Sequence, residues 1–173
     1  KPIKTRAIAP TGTIAIIGET TTGIEPIFCA AYKRRYKKGL IETDYQYVLD
    51  PTAKRLVDKG INPDTIEDAY SIDFERRLKF QAHVQQYVDH AISSTINLPA
   101  WGSEANNDSK VQYYGNILIK YLPKLRGITA YPDGSRSGQP LTPVSYREAS
   151  EQVGQIFIEQ ADICEISKPG GCG

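Results

Sequence analysis

The chain has 173 residues, within the usual size of one domain, and its 40% hydrophobic content is enough to bury a core. Lys and Arg number 21 against 20 Asp and Glu, a net charge of +1, so no global field draws the chain toward nucleic acid. No apolar run is long enough to cross a bilayer, no export-type leader is visible, and three cysteines make no disulfide framework, which fits a reducing cytoplasm.

Arg6-Ala7-Ile8-Ala9 suits the end of a buried strand, which Pro10 stops. Thr11 then offers a helix N-cap, Gly12 lets the backbone approach a ligand, and Thr13 to Ile17 supply an apolar helical turn or two closed by Gly18. Free amides at that helix start, with two hydroxyls beside them, make a phosphate cradle; a plain capped helix is the alternative. The turn has no Lys and lacks the G-x-x-x-x-G-K-[ST] spacing, which disfavours a P-loop. Thr22-Gly23-Ile24-Glu25-Pro26 reads as a rigid second turn, with Glu25 either supporting the site or solvated before Pro26. Cys29, in Phe28-Cys29-Ala30-Ala31, reads as a buried filler.

The basic run Lys33-Arg34-Arg35-Tyr36-Lys37-Lys38, then Gly39 and the β-rich Leu40 to Val48, predicts a hairpin returning along the first strand. Its basic tip is either solvated or an electrostatic funnel. Asp50-Pro51 starts a helix that Gly60 ends, and Asp64 is the next cap. From Asp73 onward, Phe80, Val84, Tyr87, Val88, Ala91 and Ile92 draw one apolar stripe along a long helix. His83 and His90 fall on one face of that helix, but without a third ligand they read as surface or partly packed side chains, not a metal site. Ser94 to Pro99 has strand character, and Asn97 near its end either makes structural hydrogen bonds or meets a ligand. Asp108-Ser109 caps a helix with Val111, Tyr114, Leu118, Tyr121 and Leu122 as its stripe, disrupted by Pro123. Gly127 to Tyr131 is then a buried strand, which makes a βαβ unit of a parallel sheet or barrel, and Pro132-Asp133-Gly134-Ser135 is a turn. Beyond Leu141 follow a polar helix from about Ser145 to Gln160 and a tail flexible by composition. Its thiols, Cys164 and Cys172, are far enough apart to close a disulfide; half of a metal knuckle and two unrelated thiols are the alternatives.

Four of these stretches occur in a familiar order: Ala9-Pro10-Thr11-Gly12-Thr13-Ile14, Gly23-Ile24-Glu25-Pro26-Ile27-Phe28, Val88 to Pro99, and Gly127 to Gln139. Together, over about residues 6 to 141, the chain resembles the C-terminal part of the large catalytic chain of ribonucleotide reductase, most closely the adenosylcobalamin-dependent class II branch. The resemblance implies an α/β fold: the C-terminal portion of a ten-stranded α/β barrel over residues 1–141, then a helix and flexible cysteine-containing C-terminal tail over 142–173. Thr11, Gly12, Thr13 and Ile14 lie where that family holds substrate phosphates, Ile14 through its amide alone because many relatives carry a hydroxyl there. Glu25, Asn97 and Arg136 are candidates for site support, Arg136 by ordering its turn or by meeting substrate or cofactor. Cys164 and Cys172 match a tail pair that carries reducing equivalents from thioredoxin or a similar donor, although their spacing departs from the commoner forms.

The resemblance also implies what this stretch lacks. The family's N-x-C-x-E radical loop is not among these residues, so no catalytic residue is expected here, and the isolated chain is expected to be inactive without an N-terminal part carrying the radical cysteine. Ala130-Tyr131-Pro132 stands where class I enzymes have a relay of adjacent tyrosines, which fits a radical generated by adenosylcobalamin. The initial Lys1 and the lack of Met point to a split subunit or an excised segment. The implied function is reduction of ribonucleoside di- or triphosphates to deoxyribonucleotides, with this piece binding substrate phosphates. The alternative is a noncatalytic assembly or nucleotide-binding module that completes a partner barrel.

Overall fold

The computed structural model describes residues 3–37, 43–135 and 141–159. Arg136, Cys164 and Cys172 lie outside the described residues. In chain order the elements are α1 (Gly12–Ile17), β1 (Ala31–Lys37), β2 (Thr43–Leu49), α2 (Pro51–Val57), α3 (Phe74–Gln85), β3 (Thr95–Leu98), α4 (Asp108–Tyr121), β4 (Thr129–Pro132), β5 (Leu141–Pro143), α5 (Tyr146–Glu151) and β6 (Ile156–Glu159). They form two compact units: Lys1–Ala30 with Asp50–Gly138, and Ala31–Leu49 with Gln139–Gly173. A division at residue 141 does not coincide with these units, because the hairpin groups with the C-terminal segment.

The first unit is organised by the expected βαβ unit. β3 and β4 pair in parallel, from Thr95 opposite Thr129 to Leu98 opposite Pro132, with α4 as the crossover. Phe74, Leu78 and Ala82 of α3 join Ile96 of β3 and Ile117 and Tyr121 of α4 in one core. Since strand side chains alternate, burying Ile96 turns Thr95 and Asn97 to the opposite face. α4 starts at Asn107, whose Oδ1 accepts the Ser109 N–H, and ends in a 3-10 turn at Leu122–Lys124 that contains Pro123. Ile117 is its buried apolar residue beside Tyr121, whereas the predicted Val111 and Leu122 are exposed.

α3 departs from the predicted stripe. Asp73 caps it, but it stops at Gln85 and buries Phe74, Arg77, Leu78, Gln81, Ala82 and Gln85, while Phe80 and Tyr87 are exposed. Gln81 and Gln85 occupy the inner face because the loop around it offers backbone groups that need partners, while Arg77 meets the Glu25 and Ser94 side chains. Gln85 Nε2 donates to the Val88 and His90 carbonyls, its Oε1 accepts the Arg126 N–H, and Gln81 Nε2 donates to the Gly127 carbonyl. His90 therefore lies beyond the helix that carries His83, and its Nδ1 accepts the Ala91 N–H.

The predicted N-terminal strand is reduced to a parallel bridge between Ile8 and Ile92. His90 N–H donates to the Arg6 carbonyl, Ile8 N–H to Ala91 and Ser93 N–H to Ile8, while Arg6, Ala7 and Ala9 stay exposed. A single neighbour on one side explains both the short ladder and the exposure. α2 follows the reading: Asp50 Oδ1 accepts the Thr52 and Ala53 amides, and Gly60, at φ 89°, closes the turn after it. Asn62, rather than Asp64, caps the next 3-10 turn (Pro63–Thr65).

In the second unit, β1 and β2 form the predicted hairpin from Ala31 opposite Leu49 to Lys37 opposite Thr43, and the sheet order is β5-β1-β2-β6, all antiparallel. The expected helix to Gln160 is instead α5, capped by Ser145, followed by β6. Gly154, at φ 78°, ends helical continuity, and the Ile156-Phe157-Ile158 alternation lets Phe157 stack on Tyr45 and Tyr47.

Candidate functional site

Two turns and one strand face of the first unit enclose a cleft of about 420 Å³. Its polar lining comes from Gly12, Thr20, Thr21, Thr22, Glu25, Asp50, Ser93, Thr95 and Asn97, and its apolar wall includes Pro10, Ile16, Pro26, Ile27 and Phe28. Tyr70 backs that wall, edge-on to Phe28 with ring centroids 5.2 Å apart. Burial first, and the Asp133 carboxylate second, push the Tyr70 phenol up to about 12.

The start of α1 decides what the cleft can bind. Its first internal hydrogen bond runs from the Ala15 N–H to the Thr11 carbonyl at 2.9 Å, so among the described residues the amides of Gly12, Thr13 and Ile14 have no acceptor. Thr11 was expected to cap them and does not. It adopts a left-handed conformation, φ 51° and ψ 29°, makes no side-chain cap bond, and accepts the Gly23 N–H on Oγ1 at 3.1 Å. A β-branched residue rarely takes that conformation. Its consequence is that one hydroxyl fastens the second turn to the helix start while the helix amides stay open. Gly12 is exposed, and a Cβ there would meet nothing within 4 Å, so packing within the chain does not require a glycine. Of the three residues with open amides, Gly12 lines the cleft, and Thr13 and Ile14 follow it in the first turn of α1 without lining the cleft themselves.

The second turn is tight, closed by the Glu25 N–H donating to the Thr22 carbonyl at 2.8 Å. Glu25 is not a free solvated carboxylate. Its Oε2 pairs with Arg77 Nη2 at 2.5 Å and its Oε1 accepts the Thr95 N–H at 2.6 Å, so it joins the turn to α3 and β3. Asn97 projects from the same strand face as Thr95, and among the described residues its side-chain amide makes no hydrogen bond. The N-terminal approach to α1 is held by Asp89, which accepts the Thr5 and Arg6 amides and the Thr5 hydroxyl. Those amides draw its carboxyl from an ordinary 3.8 to about 2.

The sequence reading missed Thr20, Thr21, Ser93 and Thr95 as cleft residues, and missed Arg77 altogether. The threonine run before Gly23 was a visible signal, whereas a helical Arg beside Arg76 looks like an ordinary solvated residue. Cys29 is buried, as its apolar context suggested. Among the described residues no three His, Cys, Asp or Glu side chains converge on a metal-sized site, and no helix is long and apolar enough to cross a membrane.

Residues 4–120 match the family model described as ribonucleotide reductase, barrel domain. The chain is 32% identical over 186 aligned positions to the vitamin B12-dependent ribonucleoside-diphosphate reductase of Mycobacterium tuberculosis (strain CDC 1551 / Oshkosh), covering 96% of this chain and 24% of that protein. It is 31% identical to the vitamin B12-dependent ribonucleoside-diphosphate reductase of Thermoplasma acidophilum, covering 80% of this chain and 20% of that protein. A crystal structure of B-12 dependent (class II) ribonucleotide reductase shares the fold with a TM-score of 0.59 at 16% identity, over 83% of this chain and 22% of that one. The chain thus spans about a quarter of the length of the relatives it matches.

Proposed function

Because the chain belongs to the ribonucleotide reductase barrel-domain family, we propose that it supplies the substrate-phosphate turn of a vitamin B12-dependent ribonucleotide reductase, as a fragment or split subunit of a ten-stranded α/β barrel. One observation carries this reading. Three amides without acceptors stand at the start of α1, and the threonine that would ordinarily cap them is turned away to hold Gly23.

A di- or triphosphate seated there accepts hydrogen bonds from the amides of Gly12, Thr13 and Ile14. The neighbouring hydroxyls of Thr20, Thr21 and Thr22 and the amide of Asn97 are at hand for its remaining polar atoms. Because α1 has only six residues, the attraction comes from these individual amides rather than from a long helix dipole. Holding a nucleotide by its phosphates fixes the sugar for chemistry performed elsewhere, which removes much of the entropic cost of reaction. Glu25 and Asn97 support the site from the second turn and β3; Arg136 is assigned the same role on the resemblance alone.

Adenosylcobalamin, when bound in the assembled enzyme, would supply the radical chemistry for reduction at the ribose 2′ position. The cleft fits a nucleotide's phosphates: its polar rim holds amides and hydroxyls, its two carboxylates, Glu25 and Asp50, are already engaged by Arg77 and by backbone amides, and its volume is small for a corrin macrocycle. Cobalamin is therefore not assigned to residues of this chain. The radical cysteine belongs to an N-terminal part of the reductase, Cys164 and Cys172 to a shuttle from thioredoxin or a similar reductant, and the working place to the cytoplasm. A second reading, a noncatalytic module that completes a partner barrel, is favoured by the apolar flank of α1, where Ile14, Ile16 and Ile17 are 70%, 68% and 79% exposed.

The test is to measure ribonucleoside-diphosphate binding and turnover by this chain mixed with the remaining reductase segments. Binding with turnover supports the enzyme reading, and assembly without nucleotide binding leaves the completing module. In the binding mixture, Thr11→Val removes one hydrogen bond and is expected to weaken nucleotide affinity about fivefold. Thr13→Val is expected to change it less, since that side chain lies outside the cleft lining. Unchanged affinity in Thr11→Val removes Thr11 from the site.

A further inference from the structure

Arg77 lies behind the cleft, yet its hydrogen bonds run to the cleft's walls. Its side chain is only 2% exposed, and Nη2 donates to Glu25 Oε2 at 2.5 Å and to Ser94 Oγ at 2.7 Å. Glu25 closes the second turn on Thr22, and the next residue but one before it, Gly23, donates to Thr11 at the start of α1. On the other side, Ser94 leads directly into Thr95 and β3, and the Thr95 N–H donates to the free oxygen of Glu25. One guanidinium thus registers α3, the second turn and the cleft strand against one another.

Burying that cation is costly, and the cost is only partly offset. Nε of Arg77 has no partner, although the Phe80 ring lies 5.9 Å from Cζ. An apolar side chain of similar volume would suit the neighbouring core at least as well, because buried ion pairs contribute little net stability. What the arginine adds is direction, since the two N–H groups of one guanidinium nitrogen, Nη2, hold two partners at once in a fixed plane.

We infer that Arg77 is a positioning residue for nucleotide binding: acting through Glu25 and Ser94, it sets where the second turn and β3 stand, and so where the α1 amides and Asn97 meet the ligand. The inference rests on the proposed phosphate role of that turn.

The experiment measures ribonucleoside-diphosphate affinity by calorimetry on this chain assembled with the remaining reductase segments, with thermal midpoints recorded in parallel. Arg77→Met is expected to weaken affinity about tenfold, and Arg77→Lys, which keeps a charge and a donor, to restore part of it. Glu25→Gln is expected to lose a similar amount. Adding Arg77→Met to Glu25→Gln should cost less than a further twofold, because the two residues act as one unit. Ile117→Val, which trims the core remote from the cleft lining, should lower the midpoint and leave affinity within about twofold. Nucleotide affinity equal to wild type in Arg77→Met, with only the midpoint lowered, makes Arg77 a fold brace and overturns the inference while the phosphate reading stands. If Arg77→Met does not fold, wild-type affinity in both Arg77→Lys and Ser94→Ala overturns it equally. No binding by the wild-type assembly overturns the inference together with the reading beneath it.

Discussion

Gly23 shows how much geometry a single residue can hold. It sits at φ 52°, and a Cβ there would come within 3.2 Å of Ile8 Cγ2 and 3.3 Å of the Ala9 carbonyl. A side chain at this point is strained in its backbone and crowded by the segment leading into α1. Gly23→Ala is expected to destabilise the chain by about 1–3 kcal/mol, read by chemical denaturation. Nucleotide affinity should fall with it, because the same residue donates to Thr11; a midpoint equal to wild type would mean that the turn adapts freely. At this scale the sequence was informative where chemistry is local. Thr11, Gly12 and Gly23 announce a turn with open amides by residue type alone. The Thr11 hydroxyl was misassigned because capping is the local default, and only the fold brings Gly23 within its reach. Arg77 was illegible for the same reason: nothing in its neighbours in sequence reveals a half-buried acid arriving from residue 25.

Among the elements, the βαβ unit and the hairpin were legible because composition and punctuation agree there, with β-rich strands, a capped helix and Pro123 at its end, although β4, read as buried, is exposed from Thr129 to Tyr131. α3 was misread because the inner face carries Arg77, Gln81 and Gln85, and a hydrophobic count passes over polar residues whose partners, backbone groups for the two glutamines and the Glu25 and Ser94 side chains for Arg77, lie elsewhere in the chain. α5 was overextended because the change to β6 depends on pairing with β2, a contact distant in sequence. The segment from Thr5 to Ile8, which delivers the chain into α1, has its own pH signature. Asp89 holds it with a carboxyl whose folded-state value, about 2, is below its ordinary 3.8. Its contribution is therefore fully present above about pH 4 and is lost as the pH falls toward 2. Amide-exchange protection of Arg6 to Ile8 is expected to decline over that window in the wild type. In Asp89→Asn it should be lower at neutral pH and show no such step; an identical acid profile in both would remove Asp89 as the anchor.

For the molecule as a whole, the chain spans about a quarter of the relatives it matches, and its first unit carries an apolar helix flank that its own described residues leave exposed. Both features suit a piece that works inside a larger barrel. The family was recognisable in advance because four ordered motifs carry it. The grouping of the hairpin with the C-terminal segment was not, since it depends on sheet pairing between distant strands. The central claim is that the open amides at the start of α1 bind substrate phosphates. It is tested most directly by titrating a ribonucleoside diphosphate into the isotope-labelled chain, in the presence of the remaining reductase segments, and following each backbone amide. The account predicts saturable shifts at Gly12, Thr13 and Ile14, accompanied by Gly23 across the Thr11 bridge. Saturable shifts elsewhere, with those four amides unmoved, would contradict it.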